Sequence, residues 1–162
     1  MSIYLDLRVA YAPAQTFEYA IDDSMFQAVD NSMVKGGKCV AAITIARNPD
    51  GLDLTFNIRG TATVECDYCL ENMDIDINKT ETLKIQFADY NEDAEDIVYI
   101  TRDTAKIDLW PFIYDFIALE IPLTHTHPRE QCSKEMLDTL GKYMVSTIEK
   151  ETDFNEKQTQ LK

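Results

Sequence analysis

Cys66 and Cys69 stand two residues apart in the stretch Val64-Glu65-Cys66-Asp67-Tyr68-Cys69-Leu70-Glu71. A Cys-x-x-Cys turn brings two sulfurs close enough to share a metal ion, to oxidise to one another, or to pack as two small apolar side chains. Both histidines of the chain and its last cysteine lie together further on, in Pro122-Leu123-Thr124-His125-Thr126-His127-Pro128-Arg129-Glu130-Gln131-Cys132. Zinc takes four Cys or His ligands in a tetrahedron, so Cys66, Cys69 and Cys132 with His127 or His125 would supply a full set. The two half-sites are much further apart along the chain than in a zinc ribbon, and all three readings of the cysteines stay open.

Other chemistry finds less support. A thioredoxin-like dithiol has its first cysteine at a helix N-terminus, within a βαβ unit. This motif lies between two alternating segments, where Glu65, Asp67 and Glu71 would disfavour a thiolate. The chain has no Gly-x-Gly-x-x-Gly, no phosphate-binding loop and no Gly-x-Ser-x-Gly elbow, with only five glycines in all. No histidine sits on a core element beside a nucleophile, so these enzyme classes find no support in the residues. Cys39, inside an apolar segment, reads as core.

The elements that must position the cysteines follow from hydrophobic period. Leu52, Leu54, Phe56, Ile58, Ala62, Val64 and Cys66 alternate with polar residues, so period two places Cys66 on the buried side of a strand. Gly60 reads as a bulge or a close approach. Beyond the turn, Met73, Ile75, Ile77, Leu83, Ile85 and Phe87 repeat the alternation, and the turn joins two paired strands. Earlier, Ile3 to Val9 and Phe17 to Ile21 read as strands, and Asp22-Asp23-Ser24 offers caps for a helical turn through Met25, Phe26 and Val29. Gly36-Gly37 breaks that helix before Cys39 to Arg47, an apolar strand expected to be covered on both faces. Asn48-Pro49-Asp50-Gly51 predicts a hairpin, with Gly51 free to take positive φ.

Asp89 to Asp96 is acidic and reads as a loop, and Ile97 to Ile100 as a short strand. Leu109, Phe112, Ile113, Phe116 and Ile117 recur at helical spacing, with Asp108 as cap, Pro111 in the first turn and Pro122 as the stop. The aromatic stripe with Trp110 and Tyr114 reads as core, with a partner groove as its alternative. Ser133 caps a short helix carrying Met136, Leu137, Leu140 and Met144. The expected fold is α+β: a mostly antiparallel, twisted sheet or partial barrel packed by one main helix and a short C-terminal helix. Residues 1–145 are expected to form a single globular domain, followed by a polar tail over 146–162.

Composition bounds the partners. The 162 residues carry 29 acidic against 15 basic side chains, a formal net charge of −14. Such a surface repels a phosphate backbone, so direct binding of free nucleic acid is not expected, and basic proteins are easier partners. The start alternates apolar and polar residues without a basic leader, and no segment has the length of a membrane span. The expected location is the cytoplasm, where four cysteines are not a disulfide framework.

The order Gly60, Cys66-Asp67-Tyr68-Cys69-Leu70-Glu71, Ile107-Asp108-Leu109, Ile117, Leu119, Pro122, His127 and Cys132 resembles the YceD family over roughly Leu52 to Cys132. In that family a Cys-x-Arg-Cys-Leu-Glu-like turn follows a Gly-containing strand, and a helix opening with Ile/Leu-Asp-Leu leads to a proline and a further cysteine. Tyr68 departs from the usual basic residue, and the cysteine-rich ending of many members is reduced here to Cys132. The resemblance implies a non-enzymatic factor in accumulation, processing or assembly of large-subunit ribosomal RNA. Basic ribosomal proteins or a precursor ribonucleoprotein would be its partners, and zinc, if carried over, would rest on Cys66, Cys69, His127 and Cys132. Two alternatives accompany it: a protein-binding module whose Cys-x-x-Cys turn is purely structural, and a thiol oxidoreductase.

Overall fold

The computed structural model describes residues 2–8, 14–90, 92–93 and 97–143. In chain order the strands are β1 (Tyr4–Asp6), β2 (Gln15–Ile21), β3 (Gly36–Asn48), β4 (Gly51–Glu65), β5 (Asn72–Phe87), β6 (Glu92–Asp93), β7 (Ile97–Ile100) and β8 (Lys106–Asp108). Helix α1 (Asp23–Gln27) precedes β3, α2 (Trp110–Glu120) follows β8, and residues 134–143 form a further helix, α3. The fold is α+β, as the periodicity requires. Its main sheet is open, in the order β2-β3-β4-β5-β7-β6, and β1 pairs β8 separately. Pairing is antiparallel in β2·β3, β3·β4, β6·β7 and β1·β8, and parallel only in β5·β7. Cross-strand bonds Thr55–Thr82, Asn57–Thr80 and Thr63–Asp74 fall in opposite numerical order, so β4 and β5 also run antiparallel.

The described residues pack as two compact units. One comprises residues up to Val64 with Asp74–Leu123; the other comprises Glu65–Met73 and residues from Thr124 on. The first holds the apolar core. Ile43, Leu54, Phe56, Ile58, Ile85, Ile113 and Ile117 are fully buried, and Phe56 meets Phe116 of α2 edge to face at 5.2 Å. Trp110 packs edge-on against Phe26 at 5.6 Å, and the Tyr114 hydroxyl lies 2.9 Å from Ser32 Oγ, so the aromatic stripe is core.

Several local expectations are corrected. β3 is buried on one face only: Cys39, Ala41, Ile43 and Ile45 are inside while Val40 is 48% exposed, because small and β-branched residues suit an open sheet face as well as a covered one. Gly36 and Gly37 begin β3 instead of preceding it. Helix α1 stops at Gln27, short of Val29, and Asn31 soon turns left-handed at φ 54°. The Pro49-Asp50 turn forms with Asn48 opposite Gly51, but Gly51 is there for space, since a Cβ would come within 1.8 Å of the Ile85 carbonyl oxygen. Asp108 does not occupy the cap position of α2, which is Leu109; its carboxylate accepts from Trp110 N–H at 3.0 Å and Ile3 N–H at 3.1 Å, tying β1 to the helix start. Within the acidic segment read as a loop, Glu92–Asp93 pairs with β7, since backbone pairing needs no apolar side chains. Val9, Met144 and the segment 146–162 lie outside the described residues.

The long hairpin β4–β5 positions the candidate site. Gly60 has φ 149° opposite Cys39, and a Cβ there would meet Lys38 O at 2.1 Å, so it is the close approach that lets β4 pass β3. The alternation survives this point, since Ala62, Val64 and Cys66 are all buried.

Candidate metal centre

The turn between β4 and β5 is closed by its own backbone. Leu70 N–H donates to Cys66 O at 2.9 Å and Cys66 N–H to Glu71 O at 2.8 Å. Leu70 takes φ 60°, the left-handed conformation that costs an L side chain about 1–2 kcal/mol. The fold places Cys66 Sγ and Cys69 Sγ on the inside of this turn, both residues buried.

The segment after α2 is clasped to the turn by Asp67. Its N–H donates to His125 O at 2.9 Å, and its Oδ2 accepts from His125 N–H at 2.8 Å. The His125 ring lies 3.9 Å from Asp67 Oδ1. Two residues on, His127 N–H donates to Cys66 Sγ at 3.3 Å, and its ring Nδ1 faces Cys69 Sγ at 3.3 Å. The other ring nitrogen, Nε2, lies 3.3 Å from Asn72 O; a proton held there leaves the Nδ1 lone pair facing the thiols. Cys132, after a turn in which Gln131 N–H donates to Pro128 O, brings its Sγ to 3.9 Å from Cys66 Sγ.

The ligand atoms of Cys66, Cys69, His127 and Cys132 therefore all lie within 4.8 Å of one another. Around tetrahedral zinc, bond lengths of about 2.3 Å to sulfur and about 2.0 Å to nitrogen set two sulfurs about 3.8 Å apart and sulfur and nitrogen about 3.5 Å apart. The observed 3.9 and 3.3 Å fit, and the three cysteines are unbridged thiols. Met73, Met136 and Leu137, each partly buried, pack against the three cysteines, while His127 is partly open to solvent. Soft thiolates with one imidazole suit zinc better than calcium or magnesium, which take oxygen ligands.

The electrostatics of the thiols diverge. Burial pushes Cys66 up, but backbone N–H groups of Cys69, His127 and Tyr68 aimed at its sulfur outweigh this and bring its pKa down to about 6. The expectation that nearby carboxylates would disfavour a thiolate at Cys66 is thus corrected: backbone donors dominate, and Asp67 is engaged with His125. Burial, with Cys69 and Cys66 alongside, pushes Cys132 up to about 11. The Cys69 thiol beside Nδ1 raises His127 above the ordinary imidazole range. Cys39 takes no part; burial pushes it to about 11, and its thiol donates to Thr61 O at 3.4 Å.

Ligand chemistry left the two histidines open and the resemblance named His127, which is the one the structure brings to the cysteines. His127 enters the cluster, and His125 belongs to the clasp. Sequence reasoning missed the clasp itself, because a carboxylate bonding the backbone of a segment 58 positions away leaves no local signature.

Fold and site together define an α+β protein with a Cys₃His cluster held between a hairpin turn and the segment that follows its main helix. The chain belongs to the YceD family: the family model described as "Large ribosomal RNA subunit accumulation protein YceD" matches residues 54–162, a span that contains all four cluster residues. No curated protein and no solved structure matches the chain. No helix among the described residues is long and apolar enough to cross a membrane.

Proposed function

We propose that this protein is a non-enzymatic factor in large-subunit ribosomal RNA maturation, in which Cys66, Cys69, His127 and Cys132 hold one structural zinc ion. The observation that carries this reading is the convergence of two chain segments, both within the span matched by the family model, on a complete four-ligand set. Four protein ligands fill a tetrahedron, and a filled site has no open position at which to activate water or substrate. Bound zinc would supply cross-linking of the two segments and no reaction step. Cys66 and Cys69 hold the hairpin side, His127 and Cys132 hold the other, and Asp67 sets the distance between them.

The family's name, which speaks of large-subunit RNA accumulation, supports the role in RNA maturation, and the charge supports the kind of partner. At a net −14 the protein is built to meet basic ribosomal proteins or a precursor ribonucleoprotein, and counterion release offers it nothing on bare RNA. Deleting the gene in the source organism should lower large-subunit RNA relative to small-subunit RNA. An unchanged ratio would remove the reading.

A further inference from the structure

With the cysteine side chains buried in the cluster, the turn shows solvent its remaining residues: Asp67, Tyr68, Leu70 and Glu71 are all exposed. Leu70 is 61% and Tyr68 46% exposed, two sizeable apolar groups at the tip of one short turn. A single exposed leucine needs no account. Here, however, the leucine holds a left-handed backbone that glycine or asparagine would hold more easily, and its side chain lies mostly outside the fold. Its apolar surface is available to something other than this chain's core.

The charge around the pair selects the occupant. Every charged side chain between Glu65 and Met73 is negative: Glu65, Asp67 and Glu71. An aromatic face and an aliphatic group rimmed by carboxylates match the parts of an arginine. The guanidinium stacks on the ring and is drawn by the acids, while the methylene stem lies on the leucine. A nucleotide base would stack equally well on Tyr68, but its phosphate would be repelled by a turn whose charged side chains are all acidic.

We propose that Tyr68 and Leu70, flanked in the turn by Glu71, form a docking surface for an arginine-rich polypeptide segment, with Asp67 adding negative charge while its Oδ2 stays bonded to the His125 N–H. This rests on the reading above that the partners are basic, and it names the surface they would meet. Arginine contributes by stacking and by charge together, so the contact weakens with salt and with loss of either apolar group.

The test is fluorescence anisotropy of the full chain with a labelled synthetic peptide of alternating arginine and leucine. The same peptide with glutamate for arginine and a single-stranded RNA oligonucleotide serve as the other probes. Saturable binding of the arginine peptide alone is expected, at least tenfold weaker in Tyr68→Ala and in Leu70→Gly. Glycine suits φ 60°, so Leu70→Gly leaves the turn intact; metal content and far-UV circular dichroism equal to the parent's check both variants. Unchanged affinity in both variants, or tip-dependent binding of the RNA in place of the peptide, overturns the proposal. In a deletion strain the two readings separate. If the ratio of large- to small-subunit RNA ignores the gene, the ribosomal reading fails while the peptide result stands. If the gene restores the ratio but variants unable to bind peptide restore it fully too, docking at the tip is overturned and the ribosomal reading survives.

Discussion

Cys132 and Cys66 are two thiols 3.9 Å apart whose acidities have been driven in opposite directions, to about 11 and about 6. A thiol must lose its proton to ligate a metal, so metal binding draws a proton from Cys132 at any pH between about 6 and 9, whereas Cys66 has already given its own up. Zinc affinity should therefore rise at least tenfold per pH unit across that window, the Cys132 proton setting the minimum and the raised His127 adding to it at the lower end. Below pH 6, where Cys66 also holds its proton, the dependence should steepen. Competition with a chromophoric chelator at several pH values measures the slope, and a flat profile would contradict the assignment of Cys132 as a ligand. Leu70 gives a second prediction at this scale. Replacing it by glycine removes a left-handed L residue that is mostly exposed, so Leu70→Gly should stabilise the fold by about 1 kcal/mol in denaturant unfolding.

At the scale of elements, the hairpin and the segment after α2 must be held in register for the cluster to exist, and Asp67 does this through two bonds to the backbone of His125. Asp67→Ala should weaken zinc binding about 10- to 100-fold, the usual consequence of losing a group that orients ligands, while leaving all four ligands in place. An affinity equal to the parent's would show the clasp to be incidental. Gly60 governs the strand that delivers Cys66. With φ 149° and Lys38 O at 2.1 Å from a built Cβ, Gly60→Ala must shift backbone, and should cost about 2 kcal/mol or more of stability, read as a lowered unfolding midpoint. Most of this layer was legible in the sequence. The unbroken alternation from Leu52 placed Cys66 on the buried face, and the run of Leu109, Ile113 and Ile117 gave α2, because both signals are periodic and local. Exposure of Val40, the displacement of Asp108 from the cap, and the clasp of Asp67 on His125 were not legible, and His127 was named over His125 only through the family resemblance. Each depends on what a distant segment does: whether anything covers the outer face of β3, where the Ile3 N–H lies, and where the His125 backbone comes to rest.

For the whole molecule, the acidic surface and the cluster serve different ends. The charge sets which partners can approach, and the cluster fixes one short turn and the segment beyond α2 as a unit built on few apolar residues. Among the described residues its buried set is three cysteines with partly buried Met73, Met136 and Leu137. The family and the pair of half-sites were visible from residue types and spacing; that the half-sites meet depends on tertiary structure. The zinc proposed for Cys66, Cys69, His127 and Cys132 amounts to one ion per chain. Elemental analysis of protein purified without chelator tests it most directly. One zinc per chain, lost in Cys132→Ala, is the predicted result; a parent chain with no bound metal, or a Cys132→Ala chain that retains it in full, would contradict it.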